Sequence, residues 1–315
     1  MDSVLQNRTA YLDEPGAPLV VRDAPFPEPG PGEIEVRNAA IAINPVDWHM
    51  TDSGILLSTG LLWSAATGRP QFGAFQLYIV VSIYKAAQLP LSIPFTEDIV
   101  LPLALETVIH LYPVLTFSYP FLKDAVKYSA GKTIVVYGGS SSVSSVTTQL
   151  AETSGLHVIT IVGARNSGMS KESGAAECFD HKDSPLVKLV EAVRDLGGEL
   201  VGIVEAISIP ETITIDLKIL ENLGRDHLAL NRPHMGENMV PDNVEIGMVR
   251  SGGVNEITDS VWRTYVGAAL KFGKLKCLPP PTIVGKGLEV IQKTPGLLEQ
   301  DVSATKLVVE FEQSS

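Results

Sequence analysis

The residues of this chain best spaced for chemistry run from Gly138 to Val143, Gly-Gly-Ser-Ser-Ser-Val. Behind them Ile134, Val135 and Val136 form a short β-branched run, which suits a parallel strand covered on both faces. Gly138 and Gly139 let the chain turn sharply, and Ser140, Ser141 and Ser142 leave backbone N–H groups open to an anion where a helix begins. A strand, a small-residue turn and a helix N-terminus form the first βα turn of a dinucleotide-binding fold. The full three-glycine spacing is absent, with Ser144 where a glycine would bring helix and strand together, so looser or shifted packing is expected there. An ordinary strand-turn-helix without a ligand is the competing reading.

In such a fold the second strand ends, about 20 residues past the turn, in an acid when NAD is bound. Here that strand ends Thr160-Ile-Val-Gly-Ala-Arg-Asn, with no acid. Arg165 lies where a cation could meet an adenosine 2′-phosphate, which leans toward NADP(H); a solvated loop arginine is the alternative. Other chemistries find no constellation. Two cysteines, Cys178 and Cys277, cannot make a four-cysteine zinc site, and the six histidines are scattered, so no metal is expected. A Gly-x-Ser-x-Gly nucleophile elbow is also absent.

The elements that must position the turn follow from the pattern around it. Strand-like and helical segments alternate from residue 133 to 230, with strands at 157–162, 177–179, 200–206 and 227–230. Helices are expected at 143–154, 168–173, 185–196 and 210–223, and repeated βα units predict a doubly wound parallel sheet. Before it, strand-like material at 19–22, 33–43 and 73–82 makes a β-rich start, and Thr96 is placed as the N-cap of a helix interrupted by Pro102. After it, an amphipathic helix at 256–272, a helix at 286–292 and a strand at 306–311 complete the chain, the last returning to the N-terminal lobe. A net charge of −12 with no basic block argues against nucleic acid and anionic membrane as main partners. With neither a signal-like N-terminus nor an apolar run long enough to span a bilayer, a cytoplasmic protein is expected.

Three separated segments, Asn44-Pro-Val-Asp-Trp, the Gly138 turn, and Val284-Gly-Lys-Gly-Leu-Glu with Val302-Ser-Ala-Thr-Lys-Leu-Val-Val, together resemble the medium-chain dehydrogenase/reductases. More narrowly, they are similar to the zinc-independent quinone-reductase-like and fungal trans-acting enoyl reductases of secondary metabolism. The resemblance implies a Rossmann domain at 113–273 and a GroES-like β-rich lobe from 1–112 and 274–315. It also implies NADP(H) held by Gly138, Gly139, Ser140, Ser141, Ser142 and Val143 at the pyrophosphate, with Arg165 and Asn166 near the 2′-phosphate and His181 near the adenosine. Asn44, Asp47, His49 and Thr107 would surround the substrate as the catalytic set, with His49 or Thr107 donating to a developing enolate oxygen.

Departures from the family pattern are Gly163 for a serine, His181 for a tyrosine, Ser144 for a glycine, and Glu106 before Thr107 for a small residue. Between Trp48 and Gly73 the chain is too short for the segment relatives carry, so the GroES-like lobe is expected to be incomplete. The edge this leaves would favour a homodimer or docking on a partner synthase. The function implied is NADPH-dependent reduction of an activated double bond in an enoyl thioester, enone or quinone, on a small-molecule or carrier-bound polyketide-like substrate. The alternative keeps the scaffold as a non-redox cyclase or binding protein with an eroded cofactor site.

Overall fold

The computed structural model describes residues 6–47, 70–111, 115, 125–183, 186–196, 199–225, 227–231, 240–248, 256–298 and 302–312. The chain forms two compact units, one of Leu101–Ser251 with Ala268–Pro279, the other of Met1–Val100 with Gly252–Gly267 and Pro280–Ser315.

The larger unit holds a six-stranded sheet, whose elements are labelled here in chain order. They are β1 (Lys132–Tyr137), α1 (Ser142–Thr153), β2 (His157–Ile161), α2 (Ser167–Glu172), β3 (Glu177–Phe179), α3 (Leu186–Asp195), β4 (Glu199–Glu205), α4 (Pro210–Leu223), β5 (His227–Leu230) and β6 (Glu245–Met248). The strands lie in the order β6-β5-β4-β1-β2-β3 and every pair is parallel. This is the doubly wound order, whose direction reverses between β1 and β4, and ligands of such sheets bind at the carboxyl ends of the strands at that point. Ile134, Val135 and Val136 are wholly buried, as a central strand covered on both faces requires. Helix α4 opens with Pro210, and Gly224 stops it in the left-handed region at φ 62°.

The smaller unit is β-rich. Asn7–Tyr11 pairs antiparallel with Val20–Ala24, and Glu33–Arg37 with Tyr78–Ser82. In a third sheet Lys306–Glu310 lies between Pro281–Lys286, to which it is parallel, and Ala40–Ala42, to which it is antiparallel. The last strand therefore returns to the N-terminal lobe. Ile41, Ile43, Phe75, Leu307, Val309 and Phe311 are among the apolar residues packed inside it.

Two expectations need correction, and one strand, Asn7–Tyr11, is not among those expected. The helix placed at 286–292 is a 3₁₀ segment, Leu288–Lys293, that starts two residues later, because Lys286 still ends a strand, Pro281–Lys286, and Gly287 turns the chain at φ 84°. Thr96 does not cap its helix, which runs Phe95–Asp98 behind Pro94; a second helix, Pro102–Leu111, starts at the proline itself. Asn7–Tyr11 carries no apolar alternation because two of its buried residues, Asn7 and Thr9, are polar. Asn7 instead bonds Gln76 and both backbone groups of Tyr78 at 3.0–3.2 Å. The amphipathic stretch from 256 is helical, with a wide π turn at Ser260–Val266 between α segments. The bridge between Trp48 and Gly73 lies largely outside the described residues.

Candidate functional site

The turn after β1 is built so that only glycine fits at its first two positions. Gly138 sits at φ 81°, and the amides of Gly138 and Gly139 both donate to the Ile161 carbonyl, at 2.9 and 3.1 Å. A Cβ on Gly139 would lie 2.8 Å from Ser170 Oγ and 2.9 Å from Thr160 Cβ, so the turn is pressed against β2 and α2. Ser141 is the N-cap of α1, its Oγ accepting from the Ser144 amide at 3.0 Å. Helix geometry gives the Val143 amide no carbonyl within the helix to donate to, which suits this end of α1 to an anion. Ser144 is fully buried with its hydroxyl 3.0 Å from Ser141 Oγ, so the serine that stands for a glycine is absorbed into the cap. Every residue from Val143 to Ala151 is buried, so α1 is fully packed and the looser packing expected at Ser144 does not occur.

At the end of β2 a single 3₁₀ turn, Ala164–Asn166, carries Arg165 exposed to solvent. Asn166 donates its amide to the Gly163 carbonyl at 2.8 Å. A Cβ on Gly163 would meet His181 Cε1 at 3.4 Å, so the two family departures, Gly163 and His181, touch each other. His181 follows Asp180, with Nδ1 3.7 Å from its Oδ1. The Lys182 amide, bonded to Asp180 at 3.0 Å, holds that carboxyl below the usual range, helped by the Ala164 amide.

Beside this edge lies an apolar cavity of about 190 Å³, walled by Tyr137, Ile161, His181 and Lys218 and by residues of α3 and α4 such as Leu189 and Ile219. Tyr137 pairs in register with Glu205, and both lie close to Asp216 of α4. Burial, then Asp216 and Glu205, push the Tyr137 hydroxyl up to about 12. Glu205 and Asp216 are wholly buried. Glu205 Oε1 accepts from the Ile207 and Ser208 amides at 2.7 and 3.0 Å, whereas Glu205 Oε2 and both Asp216 oxygens have no hydrogen-bond partner. With no donor on either of its oxygens, Asp216 is raised well above the usual carboxylate range by burial first, then by the charge of Glu205 and a shared side-chain hydrogen bond with it.

The other expected site residues divide between the units. In the β-rich unit Asn44 and Asp47 are both buried and bonded to each other. Asp47 Oδ2 accepts from the Asn44 amide at 2.7 Å and from Asn44 Nδ2 at 3.3 Å, and the Asp47 amide donates to the Asn44 carbonyl at 3.0 Å. With Pro45 between them this is a helix start of the capping-box kind, the acid reaching back to the cap's own N–H. Lys306, which lies in the Val302–Val309 segment but outside the expected set of site residues, donates its Nζ to Asn44 Oδ1. Burial raises Asp47 to about 6, offset by Asn44 and then Lys306, and burial lowers Lys306 to about 8, opposed by Asp47. In the other unit the Thr107 hydroxyl, buried on Pro102–Leu111, donates to the Leu103 carbonyl at 2.8 Å. His49 lies outside the described residues. Among the described residues no three His, Cys, Asp or Glu side chains gather as metal ligands, and no helix is long and apolar enough to cross a membrane.

A doubly wound sheet with a glycine turn at its reversal point, joined to a β-rich lobe built from both ends of the chain, is the fold of the medium-chain dehydrogenase/reductases. The mycobacterial protein Rv1454c, solved in complex with NADPH, shares it with a TM-score of 0.65 at 18% identity, over 96% of this chain and 99% of that one. No family model matches the chain. Its sequence is 45% identical to the dehydrogenase orsE of Emericella nidulans, aligned over 97% of this chain and 99% of that protein. It is 31% identical to the trans-enoyl reductase himH of Aspergillus japonicus, over 90% of each. The chain belongs to the medium-chain dehydrogenase/reductase superfamily, in the group that holds these fungal dehydrogenases and trans-enoyl reductases. The orsE alignment runs over 350 positions, more than the 315 residues of this chain, so that relative carries residues this chain lacks.

Proposed function

We propose that the chain is a cytoplasmic NADPH-dependent reductase that delivers hydride to an activated double bond in an enoyl thioester, an enone or a quinone. The observation that carries this reading is the Ser141-capped glycine turn at the reversal point of the sheet, with exposed Arg165 and no acid at the end of β2. The residues present suit a dinucleotide. First-turn amides of α1 would face the pyrophosphate, Arg165 and Asn166 the 2′-phosphate, and His181 with the neighbouring apolar cavity the adenosine. Relatives named as dehydrogenases and trans-enoyl reductases, and a fold neighbour solved with NADPH, support the same assignment.

The nicotinamide, when bound, supplies the hydride, and the protein supplies position and a proton. Addition to the β-carbon of an enone moves charge onto the carbonyl oxygen, which a hydrogen-bond donor must meet. His49 and Thr107 are the candidate donors. Thr107 would have to release Leu103 to serve, which favours His49. Asn44 and Asp47 shape the turn two residues before His49. Spectrophotometric NADPH oxidation with a short-chain enone and a quinone tests the proposal. Turnover with either supports it, and cofactor-independent conversion or no conversion would point instead to a non-redox cyclase or binding protein.

A further inference from the structure

The cross-strand register brings one more residue into the β-rich lobe's proposed site. Lys306–Glu310 pairs antiparallel with Ala40–Ala42, Val308 opposite Ala42, and the pairing continues through the Ile43 amide to the Leu307 carbonyl at 2.9 Å. Lys306 therefore faces Asn44, and directly opposed side chains share one face of a sheet. Its side chain is enclosed, with only 6% of its surface exposed, and its ammonium donates to Asn44 Oδ1.

This contact settles which way the Asn44 amide lies. An ammonium can only donate and a carboxylate can only accept. Lys306 on one side and Asp47 on the other leave a single orientation, with Oδ1 to the lysine and Nδ2 to Asp47 and the Ala42 carbonyl. Asp47 in turn gains a nearby cation for a carboxylate that burial would otherwise neutralise. Packing alone does not call for a lysine, since the next three residues of the strand, Leu307, Val308 and Val309, are aliphatic and a buried ammonium gives up its hydration.

We propose that Lys306 is a positioning residue of the reductase, acting on the reaction through Asn44 and Asp47 by fixing the amide of one and balancing the charge of the other. The proposal rests on the reductase reading given above. Its test compares wild type with Lys306→Met, Lys306→Gln and Lys306→Arg in NADPH oxidation with the same enone and quinone, on proteins whose far-UV circular dichroism is native. Lys306→Met is expected to lower kcat at least tenfold with the NADPH KM within twofold of wild type, and Lys306→Arg to restore most of the loss. Where Lys306→Met does not fold, Lys306→Gln, which keeps a donor and removes the charge, is expected to show the same split. Folded variants with kcat within twofold of wild type, or a loss that appears in the NADPH KM instead, would overturn the positioning role alone. A wild type that binds NADPH but reduces neither acceptor would overturn the reductase reading and this role with it.

Discussion

Asp216 gives the sharpest stability prediction. It is wholly buried, no donor reaches either of its oxygens, and Glu205, which accepts from the Ile207 and Ser208 amides, lies beside it. Burial first, and the neighbouring Glu205 after it, disfavour the ionised form of Asp216, which therefore keeps its proton. The sign follows directly. In the unfolded chain an aspartate releases its proton near pH 4, whereas folded Asp216 keeps it well above that value. Over that window the unfolded state binds fewer protons, and stability falls as pH rises, by about 1.4 kcal/mol per unit. The fall begins above the unfolded value near pH 4 and continues until the folded group itself titrates. Asp216→Asn keeps the shape and removes the proton, so it should remove this slope. Urea unfolding followed by tryptophan fluorescence, at half-unit steps from pH 5 to 8, measures the difference between the two proteins. The variant should gain on wild type steadily as pH rises from 5, at up to about 1.4 kcal/mol per unit. Parallel pH profiles, within about 0.5 kcal/mol, would refute the protonated Asp216 and the buried pair on which it rests. Asp47, raised to about 6, adds a slope of the same sign to both proteins, and it cancels in the comparison.

Further outcomes follow from the same geometry. Gly139→Ala places a methyl 2.8 Å from Ser170 Oγ and should cost about 1–3 kcal/mol in urea unfolding while weakening NADPH binding. Ser141→Ala removes the cap of α1 and should cost about 1 kcal/mol in the same assay. Lys306 is lowered to about 8, so between pH 8 and 10 the folded state releases a proton that the unfolded state keeps. Wild type should therefore gain up to about 1.4 kcal/mol per pH unit there, a gain that Lys306→Met lacks.

The parts of the fold legible in the sequence are those where one local rule decides. The β-branched run of β1, the serine cap of α1, and Pro210 with Gly224 around α4 each mark an element from neighbouring residues alone. Where the lining of the core is polar, as at Asn7 and Thr9, hydrophobic alternation carries no signal. Residues 281–286 lost theirs because the apolar residues straddle Gly285 and continue past Gly287 with a spacing that also suits a helix. The site shows the same division. The glycine turn is contiguous and could be found by spacing. The contact of Lys306 with Asn44 joins residues 262 positions apart through a strand pairing, and that of Glu205 with Asp216 depends on how α4 packs on β4. In each case a charged residue beside an apolar run was visible, and its partner was not.

Titrating the intact chain with NADPH and with NADH, by calorimetry or by cofactor fluorescence, tests the assigned cofactor site most directly. Micromolar binding of NADPH, at least tenfold tighter than NADH, is expected, together with loss of that preference in Arg165→Ala at unchanged stability, since charge-assisted contacts to a phosphate are worth about 1.5–3 kcal/mol. Failure of either nucleotide to bind at millimolar concentration would contradict the cofactor site at the Gly138 turn.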